Sequence, residues 1–289
     1  MATMKLLHPD EVAVKSYHLA QKSVLLSIDI ETDFGSGRME ALSKVGKFLE
    51  FVEELNVPIT AFVEGRLFET QRELCEQLVE HGVDVQLHCY DHGTAGDTPE
   101  LLRRGIAAYT DFIGKPPSGY RAHTYRLDME LYRALIENGI KWDSSILPAL
   151  AQGGNFAPKY RAGDYMIFDD RLVEFPVATW KKLPLPLNHA YRLLMGRPVE
   201  ALVRRSFGPR NLVFYNMHMV DLAHCRSLSE SNLPPIVKLL YRYMWGANKS
   251  DTFQSLRSIV EYLDGLGYKF QFANTLYQEI AEKVAVVRD

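Results

Sequence analysis

Val24-Leu25-Leu26-Ser27-Ile28-Asp29-Ile30-Glu31-Thr32-Asp33 is a short apolar run that ends in acids. A run apolar at nearly every position, bounded by polar residues, reads as a strand covered on both faces, as in a parallel sheet. Beyond Asp33 the chain alternates between helix and strand patterns. Leu42, Val45, Phe48, Leu49, Val52 and Leu55 fall at helical spacing within 39–55, and Ile59 to Val63 is a second strand entered through Pro58. Residues 72–80 read as a helix stopped at His81-Gly82, and Val83 to Leu87 as a strand running into His88. Thr98-Pro99-Glu100 opens a helix that ends at Gly114. Strands at 119–122, 141–145, 172–179, 211–218 and 269–273, and helices at 128–138, 252–266 and 275–284, complete the pattern.

Repeated strand–helix units imply a parallel sheet. Polar residues recur at the C-terminal ends of different strands: Asp29, His88, Arg121, Asp143 and His218. In an α/β barrel those ends share one rim, where active sites sit. The expected fold is therefore α/β, a distorted (β/α)7–8 TIM-like barrel over 23–289 after an N-terminal extension, 1–22. A Pro-punctuated insertion at about 180–210 carries Lys181, Lys182, Arg192, Arg197, Arg204, Arg205 and Arg210 against one acid, Glu200.

Composition limits the function. The chain has 289 residues, 47% hydrophobic and 24% charged, which excludes a disordered or fibrous protein and closes a core without disulfides. A net charge of −3 gives no global attraction to nucleic acid or anionic membrane. Three cysteines without a CxxC spacing fit a reducing compartment, and no segment reads as a secretory signal or membrane span, so the expected location is cytoplasmic.

Five clusters carry chemistry. His88 and His92, with three residues between them at a strand end, suit a transition metal bound through two imidazoles. Asp29 and Glu31 point to the same side of a strand and repel, unless a cation takes one and the other accepts a proton from bound water. Arg121 at the next rim position can clamp a carboxylate, with His123 beside it as ligand, substrate contact or rim residue. Trp142-Asp143 is the fourth cluster. His218, closing the run Leu212-Val213-Phe214-Tyr215-Asn216-Met217, suits a general acid.

In this order the clusters resemble the motifs of the polysaccharide deacetylases (carbohydrate esterase family 4, the NodB-homology domain) over about 23–275. Ser27-Ile28-Asp29-Ile30-Glu31 resembles the Asp-x-Glu form of the first motif. His88-Cys89-Tyr90-Asp91-His92 resembles His-Ser/Thr-x-x-His, with Cys for the hydroxyl residue. Arg121-Ala122-His123 resembles Arg-x-Pro with His for Pro, Trp142-Asp143 is a loose fourth match, and Leu212 to His218 matches the fifth.

The resemblance implies a metal-dependent N-deacylase. Glu31, His88 and His92 would hold zinc or another divalent transition metal, with Asp33 competing for the carboxylate role. Asp29 would be the base, Arg121 its orienting partner, His218 the acid and Asp143 its support. The Thr124 amide would face the developing oxyanion, and Tyr90, His123, Thr124 and Trp142 are the candidate substrate contacts. The expected partner is an N-acylated sugar or glycoconjugate. The basic insertion favours a phosphate- or lipid-linked one, and its leucines and Met195 favour a peripheral membrane contact. Two rivals are an amidohydrolase acting on a non-sugar amide or ureide, and a degenerate barrel that binds glycans without turnover.

Overall fold

The computed structural model describes residues 12–33, 37–91, 97–147, 163–179, 187–195, 204–223, 239 and 252–288. The strands are β1 (Val14–Tyr17), β2 (Ser23–Ile30), β3 (Ile59–Val63), β4 (Asp84–His88), β5 (Gly119–Arg121), β6 (Trp142–Asp143), β7 (Tyr165–Phe168), β8 (Leu172–Glu174), β9 (Leu212–His218) and β10 (Lys269–Phe270). Every residue of β2 is buried, as the unbroken apolar run requires. β2 pairs parallel with β3 on one side and β9 on the other, and β10 adds a two-residue parallel pair at its start. From β3 the sheet continues in parallel through β4, β5, β6 and β8. Beyond β8 the chain stays extended, and Ala178 N–H donates to the Phe214 carbonyl (3.1 Å), which draws the sheet round to β9. The result is the expected TIM-like barrel, curled from eight parallel strands among the described residues, counting the two-residue β10.

Strand alternation divides the core in two. Leu26, Ile28 and Ile30 face outward, in one cluster with Phe48, Leu49 and Val52 of the helix Val45–Leu55. Leu25 faces inward with Phe62, Trp142, Val173, Phe175 and Phe214, and Leu276 and Ile280 of the helix Ala273–Arg288 belong to that inner cluster. Gly119 is required here, because a Cβ on it would lie 2.1 Å from the Trp142 ring. Above Leu25 on the inner face stand Ser27 and Asp29, and above Phe214 stand Asn216 and His218, their register partners. The barrel is thus apolar below and polar at its rim.

Several elements differ from the sequence expectation. Strand 141–145 shortens to Trp142–Asp143, and the helix after β10 begins at Ala273. The antiparallel ribbon of β1 and β7, attached to β8, was not expected: both strands are four residues long, too short for alternation to stand out. Within the basic insertion, residues 180–186 and 196–203 lie outside the described residues. Arg192 is buried and donates to Ser258 Oγ (2.8 Å) and Ser255, Arg204 stacks over Tyr262 (5.2 Å), and Arg210 donates to the Thr179 carbonyl. These contacts tie the three guanidinium groups to the fold. Among the described residues no helix is long and apolar enough to cross a membrane.

Candidate active site

Asp29, Arg121 and Asn216 form the fully buried centre of the rim. Arg121 Nη1 donates to Asp29 Oδ1 (2.6 Å), Asn216 Oδ1 (2.6 Å) and Ser27 Oγ (3.1 Å), and Nε and Nη2 reach the carbonyl and hydroxyl of Ser144. The guanidinium carbon lies 3.9 Å from the Phe62 ring centroid and 5.0 Å from that of Phe214. A buried ion pair persists only when its remaining donors and acceptors are satisfied and its cation is well seated. Asn216 completes the arrangement by donating from Nδ2 to Asp29 Oδ2 (3.0 Å).

His218 ends β9 opposite Asp29, with Nε2 3.4 Å from Asp29 Oδ2. On its other side Nδ1 lies 3.3 Å from Asp221 Oδ2, and the same oxygen accepts the His218 backbone N–H (2.8 Å) in a capping box at the start of the helix Met219–Leu222. Burial pushes the imidazole down, but the Asp221 hydrogen bond and the charges of Asp29, Asp221 and Glu31 outweigh it and raise the pKa to about 10. With a carboxylate at each nitrogen, the doubly protonated ring is the favoured form.

Beside this centre Glu31 Oε2 meets His88 Nε2 at 3.1 Å, both side chains buried. His88 Nδ1 donates to the Arg121 carbonyl (2.7 Å), which directs Nε2 toward Glu31. At Asp33, also buried, the two oxygens accept the backbone N–H groups of Glu40 and Ala41, where a 3-10 turn begins. His92 lies outside the described residues, and among those described no three His, Cys, Asp or Glu side chains are grouped to hold a metal.

The remaining candidates lie apart. Asp143 does not reach His218. It pairs in register with Tyr120 and Glu174, on the face of the sheet opposite to Arg121, and accepts from Ser145 Oγ (2.6 Å). Burial pushes the Asp143 and Glu174 carboxyls up as a coupled pair that shares a proton. Trp142 is a core residue at 0% exposure. Tyr90 donates to Glu69 Oε2 (2.6 Å) and stacks against Arg104 (4.1 Å). His123 N–H donates to Asp97 Oδ2 (2.6 Å), and Thr124 stands in the left-handed region at φ 53°.

Sequence reasoning missed Asn216, Ser27, Ser144, Asp221, Glu64 and Tyr125. Glu64, buried at the end of β3, accepts the Thr32 N–H (2.8 Å) and pairs with Arg66 (2.7 Å), steadying the loop after β2. Tyr125 also has a left-handed backbone (φ 55°), and its hydroxyl meets Asn216 Nδ2. Two consecutive non-glycine residues in that region cost about 1–3 kcal/mol each, a strain that clusters at functional sites.

Comparison with known proteins agrees with the motifs. Residues 18–139 match the profile of the polysaccharide deacetylase family. A peptidoglycan deacetylase of Helicobacter pylori is 27% identical over 142 residues, 47% of this chain and 47% of that protein. The chain thus spans about half the length of this curated relative. The fold is shared with Puue allantoinase (TM-score 0.56, 13% identity, 89% of each chain). It is shared also with a family 4 acetyl xylan esterase from Clostridium thermocellum, solved with cobalt (TM-score 0.50, 14% identity, 89% of this chain and 91% of that one). The family profile thus spans the first three of the five clusters, through Arg121, and these solved structures share the barrel fold.

Proposed function

We propose that this chain is a metal-dependent hydrolase that removes an N-acetyl group from an amino sugar of a glycan. The observation that carries the reading is the convergence of Asp29–Arg121, Glu31–His88 and His218 on one rim. The donor set suits a divalent ion such as zinc: His88 is oriented through Nδ1 by a main-chain carbonyl, which leaves Nε2 for a metal beside the Glu31 carboxylate. Glu31 and His88 would hold the ion together with His92. When bound, such an ion lowers the pKa of its water and polarises the acyl oxygen.

The chain's own groups supply the proton transfers. Asp29 accepts a proton from the attacking water, held in place by Arg121 Nη1 and Asn216 Nδ2. His218 carries a proton at Nε2 and delivers it to the departing nitrogen, which would otherwise leave as an unstable amide anion. Asp221 stands behind Nδ1 and keeps the ring charged until that step. Acetate and a free amine are the products.

The test is acetate release from N-acetylglucosamine oligomers by zinc-loaded protein, beside ureide hydrolysis. We expect acetate release and about one metal ion per chain. Asp29→Asn should retain the metal and lose at least about 100-fold in rate, and His88→Ala should lose both. Ureide turnover without acetate release would replace the sugar amide as substrate, and metal binding without any turnover would leave a glycan-binding barrel.

A further inference from the structure

The loop after β5 brings one side chain into the site that the proton transfers do not use. The turn is fixed by Tyr125 N–H to the Ala122 carbonyl and Arg126 N–H to the His123 carbonyl (both 3.2 Å). It turns Tyr125 back over the strand end, 5.6 Å from the Arg121 guanidinium, with its hydroxyl against Asn216 Nδ2.

The direction of that hydrogen bond is set by the network. Arg121 has only donors, so the Asn216 atom it meets is the carbonyl oxygen, which also accepts from Ser27 Oγ (2.7 Å). The other Asn216 atom is therefore the NH2 group, donating to Asp29 and to the Tyr125 oxygen. An NH2 group cannot accept, so the phenolic hydrogen points elsewhere, and among the described residues no acceptor meets it. Burial and the charge of Asp29 raise the phenol well above its ordinary range, so it stays protonated. A neutral O–H donor thus sits one amide nitrogen from the proposed base, and it lacks only an acceptor oxygen.

We propose that Tyr125 is a further catalytic residue: its hydroxyl donates a hydrogen bond to the acyl oxygen of the substrate and strengthens it as that oxygen becomes anionic. The proposal rests on the deacetylase reading for the identity of the acyl group. It extends that reading by adding a side-chain donor to the oxyanion, alongside the Thr124 amide that the motif resemblance implies. A donor of this kind acts more on the transition state than on the bound substrate.

The experiment compares wild type with Tyr125→Phe, which keeps the ring over Arg121 and removes one oxygen. On N-acetylglucosamine oligomers we expect kcat to fall about 100-fold with KM within about twofold. The melting temperature and zinc content should be unchanged. Acetate supplies a readout independent of turnover: calorimetric titration should show at least tenfold weaker binding to Tyr125→Phe. Kinetics and acetate binding within twofold of wild type would overturn the role. Loss of rate matched by loss of melting temperature, with acetate affinity intact, would also overturn it and leave Tyr125 a packing residue. If wild type releases no acetate while acetate binding still depends on Tyr125, the donor stands and the deacetylase reading fails.

Discussion

Two buried carboxylates sit at neighbouring heights on the same sheet and have been given opposite chemistry. Asp29 faces the barrel interior, where Arg121, Asn216 and His218 surround it with donors. Asp143 faces outward, where its neighbour is another acid, Glu174. Burial acts on both. What separates them is the partner: Asp29 meets the Arg121 guanidinium, whereas a second carboxyl makes Asp143 share a proton. In a chain read residue by residue both are acids at strand ends, and only the face of the sheet distinguishes a reactive group from a structural one.

Removing the cation should break this contrast most severely. Arg121→Met leaves Asp29 buried without its guanidinium partner, and we expect a loss of about 3–5 kcal/mol in stability, measured by guanidinium denaturation. Adding Asp29→Asn to that variant should recover part of the loss, because the stranded charge is then gone; no recovery would mean that Arg121 acts mainly by packing on Phe62. Asp221→Asn is expected to act next in size. In the proposed reaction His218 acts protonated, so activity should fall as pH rises through its pKa of about 10. Removing the Asp221 charge should move that limb down by about one unit or more, while the amide oxygen still accepts the backbone N–H. The stability from this pair is present in full below the ordinary imidazole pKa of 6.5 and is lost as pH rises through about 10, so the variant's deficit should shrink over that window. An unmoved limb would return Asp221 to a capping role alone.

The smallest effect sharpens the other half of the comparison. The raised Glu174 carboxyl keeps its proton in the folded state where the unfolded chain has lost it. Wild type therefore loses stability from this pair as pH rises above the ordinary glutamate pKa of 4.5. Glu174→Gln should lie within about 1 kcal/mol of wild type at pH 5 and gain on it by pH 8, since the amide can donate to Asp143 without titrating. A variant that loses ground at higher pH would show that Glu174 is ionised.

Residue order alone made Asp29, His88, Arg121 and His218 legible, because a polar residue ending an apolar strand is rare enough to notice. Asn216 was hidden by its neighbours: within Tyr215-Asn216-Met217 it looks like a lapse in a core strand. It becomes a site residue only through the register that sets it beside Ser27. The same parity would have removed Asp143, since Trp142 and Asp143 face opposite ways and Trp142 is the one that points in. Asp221 left a weak signal, a carboxylate three residues after a residue that ends a strand, the spacing of a capping box. Tyr125 left none, because its placement depends on two left-handed residues that nothing in His123-Thr124-Tyr125 requests.

The hydrogen bonds around Asp29 also carry a time order. Arg121 lies 92 residues further along the chain and Asn216 187. Contacts between such distant positions form only after large loops have closed, which makes them slow relative to local structure. The strand that bears Asp29 can pair with its near neighbour at 59–63 long before the strand at 212–218 arrives on its other side. Until then the carboxylate has no amide from Asn216 and no imidazole from His218. The proposed site is thus completed last, and recovery of acetate release during refolding should trail the return of helical circular dichroism.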